Sequence, residues 1–383
     1  MKWEEVRLGD VCKSIADGDH QSPQKQVQGI PFITISNIDA NNRIDFTNSL
    51  YVSEDYYESI ADKRKAAKDD VLYSVVGSFG VPVLLRENIK FAFQRHIAIL
   101  RPDKEKIFPA FLYYSMLTRD FYLQADSVAI GSAQRTITLT TLKNMKLSLP
   151  PLPVQKRIAS ILSAYDDLIE NNQKQINLLE EAAQRLYKEW FVDLRFPGHE
   201  SVKIVDGVPE GWSGGKLIKL AEFKRGKTIT KSSVKEGNVP VIAGGLEPAY
   251  FHNVANTVAP VITVSASGAN AGYTALHNNN VWASDCSFID SRNCEHIYYV
   301  YNFLKTNKNM MLNLQKGSAQ PHVYAKNINE LILLIPKEKV LKEYSDKVEV
   351  IYKAIFRKNK QISSLREARD RLLPKLMSGE IEV

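Results

Sequence analysis

Three stretches hold residue types that carry chemistry in other settings, and each lacks a part that the chemistry needs. Gly226-Lys227-Thr228 ends like a phosphate-cradling loop, but that loop requires a further glycine five residues earlier, where Ala221 stands. Leu149-Pro150-Pro151-Leu152 is the only double proline. A site that methylates a flipped adenine needs a polar Asn or Asp before such a pair and an aromatic after it, to bond and stack the base; both are missing. Gly77-Ser78-Phe79-Gly80 is glycine-rich without the spacing of a dinucleotide fingerprint. The seven histidines (His20, His96, His199, His252, His277, His296, His322) pair with no other His or Cys at a metal-ligand spacing, so zinc is not expected. Cys12, Cys286 and Cys294 form no Cys-x-x-Cys pair, which suits a reducing cytoplasm, and Cys286 and Cys294 read as core residues. Nucleophile–base groupings assemble in space rather than in sequence. Nothing among these residues assembles a reaction, and the expectation is a chain with no active site of its own.

The elements that would position any site are written twice. Gly131-Ser132-Ala133-Gln134 recurs as Gly317-Ser318-Ala319-Gln320, an offset of 186 that also relates Pro150 to Pro336, Lys174-Gln175-Ile176 to Lys360-Gln361-Ile362, and Arg185-Leu186 to Arg371-Leu372. A second offset, 209, relates Trp3 to Trp212, Leu8 to Leu217, and Ile30-Pro31 to Val239-Pro240. The ends of the halves match while their interiors diverge, and the second interior is shorter. Each half shows β-like runs (residues 30–35, 71–76 and 97–100; residues 239–242 and 261–264), a helix near residues 109–117 or 295–304, the Gly-Ser-Ala-Gln loop, and a run that ends at a proline before a long helix. Breakers from Phe196-Pro197-Gly198 to Pro209-Glu210-Gly211 mark a linker.

The two long helices carry apolar stripes at alternating spacings of four and three. The first runs Ile158, Leu162, Tyr165, Ile169, Asn172, Ile176, Leu179, Ala183, Leu186, Trp190. The second runs Tyr344, Val348, Ile351, Ile355, Lys358, Ile362, Leu365, Arg369, Leu372, Leu376. This is the a/d seam of a coiled coil. Each helix is expected to run about 36 residues, roughly 54 Å, too long for one small core. The stripes are therefore expected to pack together, antiparallel if the halves are related by a pseudo-two-fold. Asn172 and Lys358 hold equivalent seam positions and are expected to meet, fixing register at a cost in stability.

Bulk properties set the frame. At 383 residues two globular units are expected. A hydrophobic content of 44% and mean hydropathy of −0.25 describe a water-soluble chain without signal peptide or membrane span. A balance of 50 basic to 43 acidic residues (+7, isoelectric point near 9.0) is compatible with a polyanion partner.

The Trp-to-Leu start of each half, the Ile30-Pro31 and Val239-Pro240 strands, the paired Gly-Ser-Ala-Gln loops, the proline-terminated strand before each long helix, and Phe191-Val192-Asp193 followed by Phe196-Pro197-Gly198 together resemble the DNA-specificity subunit of type I restriction–modification systems, over essentially the whole chain. The resemblance implies an α+β architecture: two similar mixed α/β target-recognition domains separated by two long helices in an antiparallel coiled coil. The expected boundaries are 1–152 for the first domain, 153–192 for the central helix, 193–337 for linker and second domain, and 338–383 for the C-terminal helix. It implies a non-catalytic cytoplasmic reader of a bipartite sequence in double-stranded DNA, partnered by two methylase and two restriction/translocase subunits. S-adenosylmethionine, ATP and Mg would be bound by those partners and none by this chain; no membrane is involved. Half-sites read from one face of B-DNA lie roughly 34–36 Å apart, a distance a stiff two-helix spacer would impose.

For DNA contact the first half offers His20, Gln21, Ser22 and Lys25, with Ser78, Gln94, Arg95, Gln134 and Arg135. The second offers Lys224, Arg225, Lys227 and Lys231, with Ser267, Asn270, Gln320 and His322. Arg and Gln bond guanine and adenine edges in pairs, and loop glycines allow close approach. The Gly-Ser-Ala-Gln loops, kept in both halves, are expected to brace the domain or touch phosphate. Lys63-Arg64-Lys65 with Lys68 reads as a solvated helix face. Two other readings stand beside this one: an enzyme with a cryptic site, and a coiled-coil adaptor whose end domains bind protein or glycan.

Overall fold

The computed structural model describes residues 3–19, 23–39, 41–132, 134–316 and 321–383. The chain divides into two compact units: Met1–Glu170 with Ile362–Val383, and Asn171–Gln361. Both are mixed α/β, and both are built to one plan.

In unit 1, β1 (Glu4–Arg7) pairs antiparallel with β9 (Lys146–Leu149), Glu4 opposite Leu149. Between them, β2 (Cys12–Asp17), β8 (Ile97–Pro102), β5 (Val71–Ser74) and β6 (Pro82–Leu84) form an antiparallel sheet in the order β2-β8-β5-β6. A second sheet runs β4 (Leu50–Val52), β3 (Ile30–Ile33), β7 (Ala92–Phe93), with β3 and β7 parallel. The central strand β5 is buried at every position, which explains its unbroken Val-Leu-Tyr-Ser run where a half-exposed strand would alternate. Four helices follow in chain order: α1 (Glu54–Ser59), α2 (Pro109–Met116), α3 (Arg119–Val128) and α4 (Leu139–Asn144). Pro109 opens α2, while the Thr118 and Thr138 hydroxyls cap α3 and α4.

A small hairpin, β10 (Ile204–Val205) with β11 (Val208–Pro209), organises the stretch expected as plain linker. Unit 2 then repeats the plan. β12 (Ser213–Lys216) pairs with β20 (Ile332–Ile335) as β1 does with β9. The sheets are β13 (Lys224–Arg225), β19 (Cys286–Asp290), β16 (Val261–Ser265), β17 (Thr274–His277), and β15 (Tyr250–His252), β14 (Val239–Ile242), β18 (Trp282–Ala283), with β14 and β18 parallel. Helices α6 (Ile297–Thr306), α7 (Lys308–Asn313) and α8 (Ala325–Asn329) take the places of α2, α3 and α4. Helix α6 starts two residues later than expected, because His296 stands at its N-cap, outside the helix.

Helices α5 (Leu152–Phe191) and α9 (Glu338–Ser378) contribute to both units. Helix α9 stops short of the expected residue 383 because Gly379 turns the chain at φ +74. In unit 1, Ile158 and Leu162 of α5 are fully buried in one cluster with Leu376, against which Leu372 packs. Each such burial contributes about 1.5–3 kcal/mol. In unit 2, Lys358 meets Asn172 while Tyr344 meets Tyr187, so position rises along one helix as it falls along the other. The pair is antiparallel.

Candidate nucleic-acid interface

In unit 1 the backbone gathers three connections. The Gly18 N–H donates to the Ile97 carbonyl and Asp19 N–H to Phe93, which ties the end of β2 to the β7–β8 turn, Gln94-Arg95-His96. Val75 N–H donates to His96 and receives Ile137 N–H at its own carbonyl; Gly77 N–H donates to Arg135. The segment after β5 is thus sandwiched between that turn and residues 135–137.

Unit 2 makes the same bonds. Gly226 N–H donates to Cys286 and Lys227 N–H to Ala283, bracketing the β18–β19 turn, Ser284-Asp285. Ala266 N–H donates to Asp285 and receives Val323 N–H, while Gly268 N–H donates to Pro321. Even the bridges repeat: Val76 with Thr136 and Ile130 with Thr136 correspond to Ser267 with His322 and Lys316 with His322. Gly18 and Gly226 are equivalent for a steric reason, since a methyl at either would overlap a backbone carbonyl, of Phe93 or of Ser284. The glycine of the Gly226-Lys227-Thr228 stretch therefore serves close strand approach, not a phosphate cradle.

On this shared frame the side chains differ. In unit 1, Asp17 and Asp19 flank the tight glycine, and Arg64 reaches both, at 3.3 and 4.0 Å. The Tyr56 hydroxyl also donates to Asp19 at 2.6 Å; burial, then this carboxylate, raises the phenol pKa. The Lys63-Arg64-Lys65 run is therefore not a solvated helix face. It sits on a single tight turn, with Arg64 drawn inward by the two carboxylates and Lys65 bonded to Glu58. Lys25, Gln94 and Arg95 line a cleft of about 290 Å³ with Asp19, Tyr51 and His96. Burial, then the Arg95 charge, lowers the His96 pKa. Ser78 and Gln134 are exposed on neighbouring loops. Arg135 is engaged already: it pairs with Asp126 and lies 5.1 Å over the Phe79 ring.

In unit 2 the equivalent tight glycine is flanked by Arg225 and Lys227. Lys224, Arg225, Lys227 and Lys231 are all exposed, and among the described residues none has a side-chain partner. Ser267, Asn270 and His322 converge with the turn: Ser267 Oγ donates to Asp285 Oδ2 at 2.6 Å, Asn270 Nδ2 donates to the Gly244 carbonyl at 3.3 Å, and the His322 ring stacks on Tyr324. Asp285 escapes sequence reasoning, since a lone Asp between Ser284 and Cys286 carries no motif. The signal that could find it is the alignment of its turn with Gln94-Arg95-His96. His20, Gln21, Ser22 and Gln320 lie outside the described residues.

Along the helices, Ile158, Leu162, Ile169, Asn172, Ile176, Val348, Ile355 and Ile362 are buried, and Leu179, Leu186, Ile351, Leu365 and Leu372 are half-buried. Lys358 Nζ lies 3.5 Å from Asn172 Oδ1. Tyr187 and Tyr352 are more buried than their seam neighbours because they pack on α6 aromatics of their own unit.

One cluster of ligand-type atoms spans a sequence gap too long for motif reading: Glu295, His296 and Glu338 lie within 4.8 Å of one another. Both His296 ring nitrogens are engaged, with Ser345 Oγ at 3.1 Å and Glu338 Oε1 at 3.0 Å, which ties α6 to α9. Burial pushes the Cys286 and Cys294 thiols up to about 12. Among the described residues no helix is long and apolar enough to cross a membrane.

The family described as the type I restriction modification DNA specificity domain matches residues 1–181 and 209–365, and the chain belongs to it as a DNA-specificity subunit. It is similar to the type I restriction enzyme MjaIX specificity subunit of Methanocaldococcus jannaschii (25% identical over 311 residues, 73% of this chain and 71% of that one). It is also similar to the HindI specificity subunit of Haemophilus influenzae (21% over 470 residues, 99% of each chain). The fold is shared with the crystal structure of a type I restriction–modification S subunit from M. genitalium, at a TM-score of 0.65 and 18% identity, over 98% of this chain and 96% of that one.

Proposed function

We propose that this chain directs a type I restriction–modification complex to a split DNA sequence, with one half-site read by unit 1 and the other by unit 2. The observation that supports this most is the repeated backbone frame carrying opposite chemistry: carboxylates paired with Arg64 beside Gly18, exposed cations beside Gly226. A frame kept while its side chains diverge suits two readers of different sequences. Exposed Lys224, Arg225, Lys227 and Lys231 would take phosphates and set register, and the converging turns would meet base edges in the major groove. Recognition domains within residues 1–152 and 193–337 would flank the helix pair, to which two methylase subunits dock, joined by two restriction/translocase subunits. S-adenosylmethionine, ATP and Mg would belong to those partners, and adenine methylation and cleavage with them, in the cytoplasm.

The test is selection of duplexes from a random pool by the complex with its methylase partner, followed by a salt titration of binding. Selection is expected to converge on two short specified blocks separated by unspecified pairs. Arg225→Ser with Lys227→Ser should lower the slope of log affinity against log salt by about two, one for each phosphate no longer neutralised. A pool that never converges would overturn the proposal.

A further inference from the structure

The β18–β19 turn, on the edge proposed to meet DNA, holds a carboxylate, Asp285. Its two flanks, Gly226 and Lys227, bond the turn through backbone N–H groups, and the adjacent Arg225 and Lys227 side chains are unpartnered among the described residues. Among those residues Asp285 forms no ion pair either; its one side-chain bond is from Ser267 Oγ to Oδ2, at 2.6 Å. By contrast, both carboxylates at the equivalent edge of unit 1 have a cation within reach, Arg64, at 3.3 and 4.0 Å. An uncompensated carboxylate beside a phosphate backbone is repelled unless it meets a donor, and the donors that duplex DNA offers in its major groove are the exocyclic amino groups of cytosine and adenine.

The carboxylate is not needed to hold the turn. Ala266 N–H already bonds the Asp285 carbonyl, and unit 1 keeps the matching bond, Val75 N–H to His96, with no acid in the turn. The backbone bond is common to both units, whereas the side chain is particular to one.

We propose that Asp285 is a specificity-determining residue: its carboxylate accepts a hydrogen bond from a cytosine N4 or adenine N6 amino group in the half-site taken by unit 2, with Ser267 holding the other oxygen. This rests on the proposed DNA reading. The experiment maps the sequences methylated by the assembled complex carrying wild-type chain, Asp285→Asn, Asp285→Ser or Ser267→Ala. Wild type should specify C or A at one strand position of one half-site, and duplexes with each base there separate the two amino groups. Both Asp285 variants should relax or change that position by about tenfold, with every other position intact. Ser267→Ala should keep the motif and lower only the rate. A wild-type split motif that both Asp285 variants leave unchanged overturns this inference alone; a wild-type complex that modifies no split sequence overturns the DNA reading and this inference together.

Discussion

Tyr114 in unit 1 and Asn302 in unit 2 hold the same place on matching helices, and their surroundings solve one problem in two ways. In unit 1 the Tyr114 hydroxyl donates to Asp166 on α5 at 2.7 Å, and Arg369 on α9 reaches the other Asp166 oxygen at 2.7 Å. In the repeat, Asp166 corresponds to Tyr352 and Arg369 to Ala183. There the Tyr352 hydroxyl donates to Asn302 Oδ1 at 2.7 Å, and Ala183 is fully buried. Donor and acceptor have changed sides, and a charged cluster has become a neutral bond. The frame fixes where a buried polar tie falls, not which atoms make it, provided that each is satisfied. The same division recurs at the turns proposed to face DNA, where backbone bonds are kept and side chains exchanged.

Each unit can be perturbed by itself. Arg369→Ala leaves a nearly buried carboxylate with a single phenol, and unit 1 should lose about 3 kcal/mol. Hydrogen exchange followed by mass spectrometry should place that loss in the core around α2 while unit 2 keeps its protection. Next in size come Gly18→Ala and Gly226→Ala. Each forces a methyl onto a backbone carbonyl and should cost its own unit about 2 kcal/mol, measured as separate shifts in thermal unfolding. Equal tolerance of alanine at both would show that the two strand ends are not held as described. Tyr352→Phe removes one neutral hydrogen bond and should cost unit 2 about 1 kcal/mol, well below the Arg369 effect; a larger loss would reverse that order.

A further effect is a pH dependence, which grows across a window rather than being a fixed loss. Burial lowers the His277 pKa to about 4, and its ring bonds Thr263 Oγ1 at 2.8 Å. The unfolded chain titrates near 6.5. Above that pH both states are neutral; between 6.5 and 4 the unfolded chain binds a proton that the folded unit refuses, so stability falls with falling pH. Unit 1 has Leu84 at the paired position, opposite Val71 as His277 is opposite Val261. His277→Leu should therefore flatten the melting curve against pH across this window, and an unchanged slope would assign the dependence elsewhere.

Much of the frame is legible in sequence because repetition and periodicity are properties of order along the chain. The offset of 186 exposes the matching ends, and the alternation of four and three exposes the helix pair. The exchange of Tyr187 for Leu186, and of Tyr352 for Ile351, as the more buried neighbour is not legible. At those points a helix serves a globular core as well as its partner, and the stripe widens toward aromatics supplied from over a hundred residues away or from another helix. The loops proposed for DNA contact are likewise visible as polar, glycine-containing breaks. Their pairing is not, since Gly18 meets the 93–97 turn and Gly226 the 283–286 turn only through folding. Arg64 and Asp285 stay hidden for the same reason: each takes its meaning from a partner distant in sequence.

Each unit, on this reading, takes its own half of one split site. Mapping methylated sequences with the assembled complex carrying Arg95→Ala in unit 1, or His322→Ala in unit 2, tests that division most directly. Each variant is expected to alter a different half of the motif and to leave the other half and the spacing between them intact. Both variants altering the same half, or each altering both, would contradict it.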